Sequence, residues 1–320
     1  MELKGHTIGF KGEYSATVLK ADGTVKEFLN EEKTLRSGDV IKNLLLDNFF
    51  AKLISEESPI STVSIRCGTG TNPVSVAESS LNNQLLLTSG SWPSSSGSGP
   101  TVAIENNLLK GSVTYTFTFS LGQLSGNISE LGVNFTGITT ASNTLIHSRA
   151  LVVDNLNNPT TITVTSQEQL IITYTLRMEA NADDVVSTVS VSIAGVPTDI
   201  TVTARWCILG ALPYYVSNNL GGGTSDVTVF DGSLNPIGVL PSGSNSRFAS
   251  KSYSYNVSGG KITTVSYSIS QANLAGGISA LISGATASKP IVKFGFNPPL
   301  PKNSDRTLSI TIRQTFGRLP

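Results

Sequence analysis

Residues 113–121, VTYTFTFSL, set Val113, Tyr115, Phe117 and Phe119 at alternate positions with Thr and Ser between them. Successive side chains of an extended strand point to opposite faces, so this order suits a half-buried strand and no helix. The same period of two recurs at 7–10, 14–19, 62–67, 128–135, 145–153, 160–165 and 170–178, and again at 185–193, 200–209, 262–270, 291–296 and 308–316. Short alternating runs broken by Gly, Pro and Asn predict an all-β chain. Asp22-Gly23, between 14–19 and 25–29, predicts a hairpin.

One segment departs from that period. Ile41, Leu44, Leu45, Phe49 and Leu53 recur at spacings of three and four, with Lys42, Asn43, Asp47 and Lys52 between them. Ser37 is a fitting N-cap, so the spacing predicts one amphipathic helix near the N-terminus, packed on a sheet. Residues 89–100, rich in Ser and Gly and containing Trp92, are expected to form an exposed loop. So are 218–225, with Gly221–Gly223. Residues 297–305 hold three prolines and are expected to connect strands rather than continue one.

A chain of 320 residues suggests two domains. The charged break at 179–184 divides it into 1–180 (hairpin, helix and a first β-sandwich) and 181–320 (a second β-sandwich). A gapless overlay supports the division. Ser120, Leu124, Gly126, Ile128, Ser129 and Leu131 recur as Ser270, Leu274, Gly276, Ile278, Ser279 and Leu281, always 150 residues on. The second half then reads as a divergent repeat of the first, giving two tandem sandwiches of jelly-roll or immunoglobulin-like type.

Composition narrows the function. Ser, Thr and Asn number 100, while charged residues are 14% against about 25% in ordinary globular chains. With a net charge of zero there is no dense Lys/Arg face for nucleic acid and no polybasic membrane patch. No apolar run approaches the ~18 residues of a membrane span, and the first residues lack the apolar stretch of a signal peptide, so synthesis in the cytoplasm is expected. Cys67 and Cys207, far apart in sequence, are expected to be buried reduced thiols. Two histidines, His6 and His147, leave little for acid–base or metal chemistry.

Each local candidate for chemistry reads better as structure. His147 and Ser148 are adjacent on a strand and so point to opposite faces, and no Gly-x-Ser-x-Gly elbow surrounds a serine. Asp183-Asp184 and Asp226/Asp231 lack the one-three-five carboxylate spacing of a calcium loop. Nothing in the order of Glu105, Glu130, Glu168 and Glu179 pairs two of them for glycoside hydrolysis. Gly68-Thr69-Gly70-Thr71 runs into Asn72-Pro73 instead of the Lys-Ser/Thr of a phosphate loop. No catalytic residue, cofactor or metal is expected. Trp92, an aromatic in a Ser/Gly loop, either caps a nearby sandwich edge or is the candidate contact for a partner protein or a glycan.

Several segments in order carry a family likeness. Asp22-Gly23 is followed by Asp39-Val40-Ile41-Lys42-Asn43-Leu44-Leu45-Leu46, Cys67-Gly68-Thr69-Gly70-Thr71-Asn72-Pro73 and Glu78-Ser79-Ser80-Leu81. Then come Ser129-Glu130-Leu131-Gly132-Val133 and Ser148-Arg149-Ala150-Leu151-Val152. This order, over about half the chain, resembles virion structural proteins of tailed bacteriophages, particularly tail and appendage components. Cys67 before the first Gly and Asn134 after the Leu-Gly-Val segment depart from the pattern. The resemblance implies a non-enzymatic tail or neck component (hub, adaptor or sheath-like), made in the host cytoplasm and resident in the virion. Its partners would be copies of itself and other virion proteins, with a host surface glycan as a further candidate. A tail fibre or appendage, a head-decoration protein and a carbohydrate-binding adhesin built on Trp92 are the alternatives.

Overall fold

The computed structural model is nearly all β. It describes every residue except 27–36, 55–62, 86–93, 98–100, 136–144, 155–156, 194, 208–226, 248–249, 257–259 and 285–289. The N-terminal strand Glu2–Lys20 is the axis of the largest sheet. Along it Phe10, Tyr14, Ala16 and Val18 are buried while Lys11, Glu13, Ser15 and Thr17 keep solvent contact, as the period of two requires. A register shift between Lys4 and Thr7 resets the alternation, so that Leu3 and His6 both turn inward. The Asp22-Gly23 turn folds Val25–Lys26 back onto Val18 and Leu19.

On one side Glu2–Lys20 pairs antiparallel with Glu168–Asn181, which pairs in turn with Leu108–Phe119. On the other side it runs parallel to Leu308–Arg318, followed by Gly260–Tyr267 and Ser250–Asn256. Ten strands join in this sheet, and residues from both sides of position 180 contribute to it. One apolar core runs beneath, from Leu3, Phe10 and Tyr14 through Phe117, Ile172 and Tyr174 to Trp206, Phe294 and Ile312.

Two smaller sheets share a pairing order. Leu44–Leu45, Ser148–Leu151, Glu130–Asn134 and Ser64–Gly68 form one. Val196–Trp206, Pro290–Leu300, Ile278–Gly284 and Val227–Phe230 form the same succession in the other, which adds Val185–Ile193 at one end and Asn245–Arg247 at the opposite end. The turns before them also match. Ser120 N–H donates to Gln123 Oε1 and Ser268 N–H donates to Gln271 Oε1, each at 2.9 Å. These turns lie 148 residues apart, whereas Ile128 and Ile278, both fully buried, keep the offset of 150.

Three local expectations are corrected. The helix covers only Asp47–Ile54, with Phe49 and Phe50 buried. Val40–Lys42 is instead a strand opposite Glu13–Ser15, and Leu44–Leu45 pairs with Ser148 and Arg149. Short apolar runs fit either period, and neighbouring strands decide between them. Ser94–Gly97, inside the expected loop, is a strand paired with Tyr115–Thr118. Pro290–Leu300 continues through the first two prolines of the expected connector. Ile278 pairs with Leu300 and Ala280 with Gly295, so Pro298 and Pro299, which have no N–H to give, fall in a bulge.

Candidate functional site

Four of the short sequence segments, far apart along the chain, converge on one buried ion pair. Arg149 enters from Ser148–Leu151 and Glu130 from the adjacent strand, where Glu130 pairs with Leu151 on one side and Gly68 on the other. Neither side chain has solvent contact. Arg149 Nε donates to Glu130 Oε2 at 2.8 Å, and its Nη2 lies 2.7 Å from the same oxygen. The second Nη2 proton goes to Asn82 Oδ1 at 2.8 Å. Nη1 donates to Asn72 O at 3.2 Å and to the Glu78 carboxylate at 3.0–3.1 Å. All three guanidinium nitrogens therefore donate hydrogen bonds, and the group is in ion-pair contact with both Glu130 and Glu78.

The carboxylate is equally occupied. Gly70 N–H and Asn83 N–H donate to Glu130 Oε1 at 2.9 Å each, and Asn82 N–H donates to Oε2 at 3.2 Å. Ser129 Oγ–H closes the ring on Gly70 O at 2.9 Å. The anion that a glycine-rich loop cradles is here the chain's own carboxylate. The glycines are needed for that approach. A Cβ on Gly68 would stand 2.5 Å from Glu130 Oε1 and 2.7 Å from Asn83 O, and one on Gly70 would strike Glu130 and Asn82. A network this saturated leaves none of the pair's donors or acceptors for a substrate. Its work is to lock the loop 68–73 and residues 78–83 onto the sheet.

The remaining candidates are also committed locally. His147 Nδ1 accepts from Phe135 N–H at 3.1 Å, whereas Ser148 Oγ is 2.7 Å from Tyr14 OH, so the adjacent pair serves two different contacts. Burial pushes the His147 imidazole down to about 4, and Lys52 adds to the shift. His6 stacks on Trp206 with ring centroids 4.3 Å apart, and burial pushes it to about 4 as well. Both cysteines are buried and unbridged, and burial raises the Cys207 thiol to about 11. Asp184 pairs with Arg205, which holds its carboxyl below the usual range. Asp231 Oδ1 accepts from Ser244 N–H at 2.7 Å. Glu168 pairs with Lys26 and Glu105 with Lys110. Among the described residues no three His, Cys, Asp or Glu converge on a metal position, and no helix is long and apolar enough to cross a membrane. Trp92, Gly221–Gly223 and Asp226 lie outside the described residues.

No known protein family, characterised protein or solved structure matches the chain.

Of the sequence candidates, Glu130 and the Gly68–Thr71 loop lie in the converged site. Glu78, Asn82 and Arg149 had no chemical signal of their own. Their only mark was membership in the short segments 78–81 and 148–152 and, for Asn82, the residue just after the first of these.

Proposed function

We propose that this chain is a non-enzymatic structural protein of a tailed-bacteriophage particle, a tail or neck component that assembles through its β-sheets with copies of itself and with other virion proteins. The observation that carries the reading is the convergence of Gly68, Gly70, Asn72, Glu78, Glu130 and Arg149 on one closed clasp. Four of the six segments behind the phage resemblance thus meet in one structural feature, and a framework saturated with internal bonds suits a rigid building block better than a catalyst. The composition agrees: few charges and many hydroxyls let identical surfaces meet without repulsion. The shared strand order of the two smaller sheets is read as a tandem duplication of a sandwich-like unit, fused through Glu2–Lys20. The test is recovery of the chain from particles purified out of a lysate of the host that carries its coding sequence. Mass spectrometry should find it in fixed ratio to the other particle proteins, and deletion of the coding sequence should leave incomplete particles. Its absence from purified particles overturns the reading.

A further inference from the structure

Val185–Ile193 is the outermost strand of the six-stranded sheet. Its inner side pairs with Val196–Trp206 from Val185 opposite Ala204 to Ile193 opposite Val196, without a bulge, and no described strand pairs with its outer side. Soluble proteins block such an edge with charge, proline, a bulge or brevity, because its unpaired N–H and C=O groups are a template for another strand. This edge has none of these. Its nine residues, VVSTVSVSI, are uncharged and rich in β-branched side chains. Other outer strands are protected: Asn245–Arg247 is short and carries an arginine, Thr101–Glu105 carries a glutamate, and Ser250–Asn256 carries Lys251.

We infer that this edge pairs with the same edge of a second copy, antiparallel, about a two-fold axis through Val189. The inference rests on the reading of the chain as a self-assembling structural component and names the surface involved. Three features favour a second copy over an unrelated strand. First, the register that overlaps all nine residues is self-complementary. On the half-buried face it sets Val185 against Ile193 and Val189 against Val189, with Ser187 against Val191. On the exposed face Val186 meets Ser192 and Thr188 meets Ser190. Opposed residues share a face, and no charge meets its like. Second, the same register carries the exposed end of the hairpin towards an open cleft of the other copy. In that register the partner's tip, where Val196 is 62% exposed, comes down beside residues 182–184. There Ala182, Asp184, Ile104, Pro236 and Ile237 line an open cleft of about 790 Å³. Third, a two-fold contact consumes both edges and closes, so the strand does not propagate into a fibre. The contact is small by the standard of specific interfaces, which makes it reversible in free solution and dominant where a particle concentrates the copies.

The experiment uses the full chain. Val189→Cys places two thiols directly opposite at a separation a disulfide spans, whereas Thr188→Cys lies opposite Ser190. Mild oxidation should convert V189C to a covalent dimer and leave T188C and the wild type uncross-linked, since Cys67 and Cys207 are buried. In sedimentation across a concentration series, T188K/S190K should lose the wild-type dimer and T188E/S190K should regain it, because only the latter sets Glu opposite Lys. Both share S190K, so its contact with Asp199 within one copy cancels. Circular dichroism confirms that each variant is folded. Equal cross-linking of V189C and T188C, indifference of association to the 188/190 charges, or a wild type monomeric at every concentration overturns the inference. Presence in particles without this cross-link sinks the edge alone, and a cross-linked dimer absent from particles sinks the particle reading alone.

Discussion

Replacing Arg149 by Ala would leave the Glu130 carboxylate without solvent contact and without a cation, facing only backbone amides. Breaking a buried pair from one side costs about 3–5 kcal/mol. Arg149→Ala and Gly70→Ala should therefore each lower the urea midpoint strongly, whereas Arg313→Ala, which removes a surface pair with Glu2, should cost under about 1 kcal/mol. The histidines set a pH dependence. His6 and His147 titrate near 4 in the fold and near 6.5 when unfolded. Between those values the unfolded chain binds more protons, so stability is full above about 6.5 and declines as pH falls towards 4. Each group contributes at most about 3 kcal/mol. Asp184 faces His6 and opposes its shift, while Lys52 faces His147 and reinforces it. Urea midpoints at pH 7.5 and 5 should differ for the wild type and differ by about half as much in His147→Gln, whose amide oxygen can still accept from Phe135 N–H. At this scale the sequence exposed Glu130 as a carboxylate without assigning it a partner, because the cation lies nineteen residues on and faces it only across a strand pair.

Longer strands with one buried face, such as Glu168–Asn181, were legible, since alternation is a local signature of that burial. The start of Leu108–Phe119 was not, because Leu108 and Leu109 precede the alternating run and the turn before them is spelled Asn106-Asn107. Both asparagines have positive φ, 50° and 64°, and they join Glu105 to Leu108 in a two-residue hairpin. That geometry is the type I′ turn, for which Asn-Gly is the stronger spelling. Asn107→Gly should raise stability by about 0.5–1 kcal/mol, and Asn107→Val should lower it by about 1–2 kcal/mol, read from thermal midpoints. The helix was half legible for the opposite reason. Ile41, Leu44 and Leu45 satisfy a helical spacing and a strand spacing together, and contacts with Glu13–Ser15 and with Ser148 and Arg149 make them strands.

For the whole molecule, the decisive pairing is between the chain's two ends. Glu2 lies beside Thr311 and Phe10 beside Arg318, a parallel match across some three hundred residues that no local pattern announces. A cut after residue 182, within the charged break at 179–184 and two residues past the expected boundary, would therefore divide the ten-stranded sheet. Fragment 183–320 would lose the strand that covers Leu308–Arg318, and fragment 1–182 would gain an open edge along its longest strand. Closing the chain between its ends carries the largest loop-closure entropy cost of any pairing in the sheet. Neither fragment alone should unfold in one sharp transition, and both should expose apolar surface to a hydrophobic dye. Mixing them should restore near-ultraviolet circular dichroism and a single cooperative transition. A fragment 1–182 that unfolds alone with the full chain's midpoint would show instead that Glu2–Lys20 completes its own half without Leu308–Arg318. The ten strands would then be two units laid edge to edge rather than one.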